Sequence, residues 1–216
     1  MDKKTVIEWI EAVGVVPVIR ASSADEAARV IDAIAEGGID VFEITMTVPG
    51  AVGLIQEIGT KYGDSAVVGA GTVMDPETAE RCIDAGAQFV ISPSLNLDTI
   101  AACRTQGIAV MPGALTPTEI VTAWNAGADF VKVFPAEALG GATYLKNLKG
   151  PLPHVKIIPT GGVSLTNAAD FIRAGARAVG VGTELVNLDA IRAGNPDLIK
   201  ERARQYLQIV KEARTA

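Results

Sequence analysis

Glycines punctuate this chain at an even interval, and that interval constrains the fold more than any other feature. They fall at Gly14, Gly38, Gly63, Gly86, Gly107, Gly127, Gly150 and Gly175, separated by 24, 25, 23, 21, 20, 23 and 25 residues. Each closes an Ala/Glu/Leu/Ile-rich stretch of helical character, the stretch before Gly150 being the shortest. Glycine supplies the left-handed conformation that ends a helix. A short apolar run follows each one: Val15–Ile19, Val41–Ile44, Ala66–Gly69, Phe89–Ile91, Ile108–Met111, Phe130–Phe134, Val155–Ile158 and Ala178–Val181. Four junctions nearly repeat one phrase, EGGIDVFEI, DAGAQFVIS, NAGADFVKV and RAGARAVGV. Eight helix-stop-strand units predict eight parallel strands with right-handed crossovers, closed into a (β/α)8 TIM barrel. An open doubly wound sheet is the alternative, but it rarely keeps so even a period.

No linker or composition break divides the chain, so residues 1–216 are expected to form one barrel domain. An extra N-terminal helix, Lys3 to about Val13, is expected to plug the bottom of the barrel, and a last helix, Asn195 to about Lys211, to complete the shell. Ser22-Ser23 with Asp25 and Glu26 reads as a helix start, the first-turn acids suiting the helix dipole; Asp75-Pro76 reads as another.

Within this frame, Phe130-Val-Lys-Val-Phe134 is out of place. The run is too short and too β-branched for a helix, and a strand covered on both faces is a costly place for an ammonium group. Burial favours the free amine, which attacks carbonyls to form a Schiff base. Glu43, in Val-Phe-Glu-Ile-Thr, is equally foreign to its strand and can move protons to and from such an adduct. A buried ion pair of structural role only is the competing account of the two. Lys156 is a rival for Lys132, because alternation permits either to point inward. It follows the Pro151–His154 turn closely, which puts it near the non-catalytic end of its strand, so Lys132 is preferred.

In a TIM barrel the active site lies at the C-terminal strand ends. Arg20, Glu43, Thr72, Ser92, Lys132, Thr160, Gly161, Gly162 and Thr183 all fall there. Thr160-Gly161-Gly162 and Gly182-Thr183 follow the last two strands, where backbone amides often hold phosphate.

Composition removes other classes. The net charge of −6 offers no nucleic-acid surface, and no run is long or apolar enough for a membrane span. The N-terminal stretch carries acids through its apolar part and does not read as a signal peptide, so a cytoplasmic protein is expected. Cys82 and Cys103 form no Cys-x-x-Cys pair and read as buried free thiols. With His154 as its only histidine, the chain cannot build a three-histidine metal centre, and no other metal motif is present.

The phrases VPVIR, FEITMTVPGA, VGAGTV, FVISPS, VKVFPAE and IPTGGV, in this order across the chain, resemble the bacterial 2-keto-3-deoxy-6-phosphogluconate (KDPG) and 4-hydroxy-2-oxoglutarate (KHG) aldolase family. The resemblance implies a (β/α)8 barrel, usually a homotrimer, and a class I aldolase without metal or other cofactor. It implies release of pyruvate from a small 2-keto acid, with glyceraldehyde 3-phosphate or glyoxylate as co-product. By the same resemblance Lys132 is the Schiff-base lysine and Glu43 the proton shuttle. Thr72 meets the pyruvyl end, Phe134 lines the pocket, and Gly161, Gly162 and Thr183 hold phosphate. Arg20, Pro93, Thr160 and Gly182 complete the expected substrate-binding set. Some members carry an arginine in a Glu-x-Thr-x-Arg pattern where this chain has Thr47, and Arg20 is expected to supply that charge to the substrate carboxylate. A phosphate-binding barrel isomerase, epimerase or synthase would share the architecture without needing Lys132. A non-catalytic sugar-phosphate binder would share it without turnover.

Overall fold

The computed structural model describes residues 1–215. Helix α1 (Lys3–Val13) precedes a regular alternation of strand and helix. It runs β1 (Val15–Ile19), α2 (Ala24–Glu36), β2 (Val41–Thr45), α3 (Ala51–Tyr62), β3 (Val67–Gly71), α4 (Pro76–Asp84), β4 (Phe89–Ile91) and α5 (Leu97–Thr105). Strands β5 (Ala109–Met111) and β6 (Gly113–Ala114) are separated by Pro112 alone. Then come α6 (Pro117–Asn125), β7 (Val131–Val133), α7 (Gly141–Lys149), β8 (Ile157–Pro159), α8 (Ala168–Arg173) and β9 (Val179–Val181). Helices α9 (Leu188–Arg192) and α10 (Asp197–Thr215) follow.

The strands form a curled parallel sheet, in the order β5-β4-β3-β2-β1-β9 with a second piece β6-β7-β8. One bridge, Thr160 to Gly180, joins the pieces on one side. On the other side the ladder breaks at Pro112, which has no N–H to donate. The expected unbroken ring of eight is therefore seen as six strands and three, with an extra short strand, β6, just beyond the fifth apolar run.

Parity along the strands sorts the core into two layers. Val16, Val41, Val67, Phe89, Ile91, Ala109, Met111, Phe130 and Ile158 pack together on the inner face, and Val6 and Ile10 of α1 close that layer from below. Their neighbours in sequence, such as Val15, Phe42, Val68, Val90 and Val131, face the surrounding helices. Each large apolar side chain so buried stabilises the fold by about 1.5–3 kcal/mol. Helix α1 thus plugs the curl, as its position predicts, and polar ties fix it there. Trp9 Nε1 donates to Asp40 at 2.8 Å, Lys3 pairs with Asp129 at 2.8 Å, and Glu11 pairs with Lys156 at 2.9 Å.

Local chemistry explains the helix ends. Ser23 caps α2, Asp75 caps α4 with Pro76 in its first turn, and Thr116 with Glu119 forms a capping box on α6. Seven of the eight periodic glycines have positive φ; Gly150, at φ −55°, ends α7 in a right-handed conformation instead. The shortest of these helices is α8, before Gly175, and not the one before Gly150. The last helix also runs beyond Lys211, because its buried stripe Ile199, Ala203, Tyr206, Val210 and Ala213 continues to the final turn. Arg214 fastens that turn to the carbonyls of Ala12, Glu11 and Arg177. Cys82 and Cys103 are free and buried, and burial pushes their thiols up to about 11 and about 12. No described helix is long and apolar enough to cross a membrane.

Candidate active site

The parity that builds the inner layer also brings two charges into it. Phe130 faces inward, so Lys132 does; Val41 faces inward, so Glu43 does. Both lie one layer above the α1 plug, with residue exposures of 3% and 1%. Lys132 Nζ stands 3.6 Å from Glu43 Oε1, and the same amine lies 5.5 Å from the centre of the Phe134 ring. The carboxylate has room only because its neighbour lacks a side chain: a Cβ on Gly71 would come within 2.1 Å of Glu43 Oε1.

Burial pushes the Glu43 carboxyl up from the ordinary carboxylate range, while the nearby positive charges of Lys132 and Arg20 pull it partly back. Its Oε1 is buried without a hydrogen-bond partner among the described residues. An unpartnered buried acceptor beside a primary amine is a poor stabilising device and a good proton carrier. Lys156 has inward parity too, but it lies at the opposite end of its strand, is 31% exposed and pairs with Glu11 of α1. The two lysines are thus separated by place and environment.

Around the pair, the strand ends carry the other expected residues. Thr72 directly follows β3 and holds φ 57°, the one non-glycine positive φ among the described residues. For a β-branched residue that conformation costs on the order of 1–3 kcal/mol, and such strain concentrates at functional sites. Ser92 is buried, and half-buried Pro93 lies with its backbone against Gly113, across the break between β5 and β6. Thr47 is exposed, its hydroxyl 2.7 Å from that of Thr45, which in turn donates to the Ile19 carbonyl at 2.8 Å.

A cavity of about 740 Å³ opens over the ends of β1, β8 and β9. Phe134 and Val18 form its border toward the lysine; Arg20, Thr160, Gly161, Gly162, Gly182 and Thr183 all line it. Gly161 and Gly162 have φ 89° and 80°, backbone conformations that glycine adopts without strain. Among the described residues no group accepts from the amides of Gly162, Val163 or Thr183. Free amides and an arginine with no carboxylate within ion-pair distance make this end of the cavity suited to an anion. Lys132, Glu43, Thr72 and Pro93 do not line that cavity.

Three features escaped the sequence. Arg192 of α9 lines the cavity, and Glu26 is buried against it with a 2.7 Å contact. Glu26 reads in sequence as an ordinary first-turn acid, and nothing local signals a partner 166 residues away. The third is the free Val163 amide, hidden in an apolar residue name. Among the described residues no group of three or more His, Cys, Asp or Glu is placed to hold a metal ion.

A curled parallel β/α fold with a buried lysine–glutamate pair at the C-terminal strand ends, and a cavity suited to an anion over the ends of β1, β8 and β9, defines an enzyme of amine–carbonyl chemistry. The comparisons narrow that class. Residues 6–202 match the family described as KDPG and KHG aldolase, and the chain belongs to that family. It is 35% identical over 206 residues to the 2-dehydro-3-deoxy-phosphogluconate aldolase of Treponema pallidum, covering 95% of this chain and 98% of that protein. It is 36% identical over 209 residues to the KHG/KDPG aldolase of Escherichia coli, covering 96% and 98%. Among solved structures, KDPG aldolase from Legionella pneumophila superposes with a TM-score of 0.85 at 32% identity, covering 92% of this chain and 96% of that one. That crystal structure holds pyruvate as a covalent carbinolamine intermediate.

Proposed function

We propose that this chain is a class I aldolase that cleaves KDPG to pyruvate and glyceraldehyde 3-phosphate, and 4-hydroxy-2-oxoglutarate to pyruvate and glyoxylate. The observation that carries the reading is the Lys132–Glu43 pair, 3.6 Å apart and almost wholly buried at the strand ends. Family membership and the carbinolamine of the Legionella enzyme support it.

A proton held by the Lys132–Glu43 pair passes to the ketone oxygen as the Lys132 amine attacks C2, and Glu43 then takes a proton from the nitrogen as the neutral carbinolamine forms. Glu43 returns a proton to the departing hydroxyl, water leaves, and a protonated imine remains as an electron sink. Glu43 then takes the proton of the C4 hydroxyl. The C3–C4 bond breaks, its electrons moving into the imine, and the aldehyde departs. The enamine left on Lys132 is protonated at C3, and water hydrolyses the imine to free pyruvate and the amine. Thr72 and Pro93 flank the pyruvyl end, and Phe134 walls the pocket. Thr160, Gly161, Gly162, Gly182 and Thr183 receive the distal phosphate.

The same reading takes the two sheet pieces as one closed barrel of eight strands. β5 and β6 then count as halves of a single strand, and the Thr160–Gly180 bridge as the closing seam. It also takes residues 1–216 as one domain of a cytoplasmic homotrimer, as the family resemblance implies.

A coupled assay for pyruvate release from KDPG tests the activity; an isomerase, synthase or binding protein would release none. Arg20 is read as the cation for the substrate carboxylate, through a charge-assisted two-pronged contact. Arg20→Lys is then expected to raise KM for phosphorylated and unphosphorylated 2-keto acids alike. A rise for the phosphorylated substrate alone assigns Arg20 to the phosphate end of the cavity it lines. Unchanged KM values with a shifted pH profile reduce its role to holding down the Glu43 carboxyl.

A further inference from the structure

Among the described charged residues, three are buried: Lys132, Glu43 and Glu26. The first two perform the chemistry proposed above. Glu26, at 9% exposure, has no part in it, yet it is the most heavily hydrogen-bonded of the three. Its Oε2 accepts from the Ser22 amide at 3.0 Å and from the Ser22 hydroxyl at 2.8 Å. Its Oε1 accepts from Arg192 Nε at 2.7 Å, and Arg192 Nη2 reaches Oε2 at 3.3 Å. This is a forked, charge-assisted contact between the helix after the first strand and the helix after the last. Arg29 Nη2, bonded to the Ile191 carbonyl at 3.0 Å, docks the same turn of α9 onto α2.

The clasp sits beside the residue that the proposed function needs held. Arg20 lies two positions before Ser22, and both Arg20 and Arg192 line the cavity. The Arg20 turn is fastened at both ends, Ile19 through its carbonyl to Thr45 and Ser22 through two donors to Glu26. The Arg20 side chain makes no hydrogen bond or ion pair among the described residues, so its backbone alone sets where the guanidinium reaches. A cation on a four-atom stem moves its head by ångströms when its backbone is loosened, and misplacement on that scale weakens binding steeply. Glu26 also answers the charge of Arg192, so that two guanidinium groups can border one cavity without driving the Arg20 turn outward.

We propose that Glu26 is a positioning residue for substrate binding: by clasping Ser22 to Arg192 it fixes the Arg20 turn over the cavity. The proposal rests on the reading of Arg20 as the substrate's cation. Its signature is a KM effect that depends on Arg20, which a residue serving only global stability would not give.

The test compares kcat and KM for KDPG cleavage in the full chain, Glu26→Gln, Arg20→Ala and the double variant. Glu26→Gln is expected to raise KM about three- to tenfold with kcat held within about twofold, the range for side chains coupled through one network. In the Arg20→Ala background the same change should add less than about twofold, since nothing is left to position. Ser22→Ala, which removes one of the Oε2 contacts at an exposed residue, should give a smaller KM rise in the same direction. It keeps the question answerable should Glu26→Gln fail to fold. An unchanged KM in both clasp variants overturns the proposal, as does a Glu26→Gln effect of equal size with and without Arg20. If Arg20→Ala leaves KM unaltered, the Arg20 reading fails and the clasp has nothing to position. If the unaltered chain releases no pyruvate from KDPG, the aldolase reading itself fails, a result separate from any change among variants.

Discussion

Lys132→Met is expected to abolish aldol cleavage, with kcat falling roughly 10⁴- to 10⁶-fold, the scale on which removing a covalent nucleophile acts. Methionine nearly matches the lysine stem in length and volume, so the inner layer above Phe130 keeps its packing. Glu43 then loses the ammonium at 3.6 Å, but burial already favours its uncharged form, which limits the cost to the fold. Circular dichroism and melting will check that the variant is folded, and pyruvate release will give the rate. Turnover within about tenfold of the unaltered chain would mean that the reaction does not depend on an imine at Lys132, for the other candidate lysine, Lys156, lies at the opposite end of its strand.

Glu43→Gln is the second large effect. The amide keeps the shape beside Gly71 but cannot carry a proton, and turnover is expected to fall about 10²- to 10⁴-fold, the usual share of a general acid–base. The fold should survive, since Oε1 makes no hydrogen bond to lose. Glu43 must be ionised to take the C4 hydroxyl proton, and burial holds its carboxyl above the ordinary range. The acid limb of kcat/KM should therefore lie at higher pH than an exposed glutamate would give, activity falling as pH drops through that raised value. The residual activity of Glu43→Gln should lack this limb. Unchanged turnover would leave Glu43 as a structural partner of the lysine only.

Much of this site is written in the sequence because parallel strands obey simple rules. A period of 20 to 25 residues between glycines gives the alternation of helix and strand, and the C-terminal ends of such strands collect chemistry. Parity then sets Lys132 and Glu43 on the same face as Phe130 and Val41. Parity could not choose between Lys132 and Lys156, since both point inward. What separates them is α1, which covers the lower end and pairs Glu11 with Lys156. The turn at Pro151–His154 hinted at this; the ion pair could not be seen from either strand. The separate strand β6 was hidden because the fifth apolar run ends at Met111 and the Pro112-Gly113 that follows carries no local sign of a second strand. Their effect on the ladder depends on how Pro93 packs across it. Contacts such as Glu26–Arg192 and Arg214–Ala12 span 166 and 202 residues and leave no local mark. The overrun of the final helix belongs with them, because its last turn is fixed by such a contact.

The central claim is that Lys132 is the amine that bonds to substrate carbon. Pyruvate with borohydride tests it most directly, because reduction converts a transient imine into a stable secondary amine that survives peptide mapping. The account predicts one adduct per chain, on the peptide carrying Val131-Lys132-Val133, and none on Lys156, which is engaged by Glu11 at the far end of the curl. An adduct on Lys156, or no adduct under conditions where the chain turns over, would contradict it.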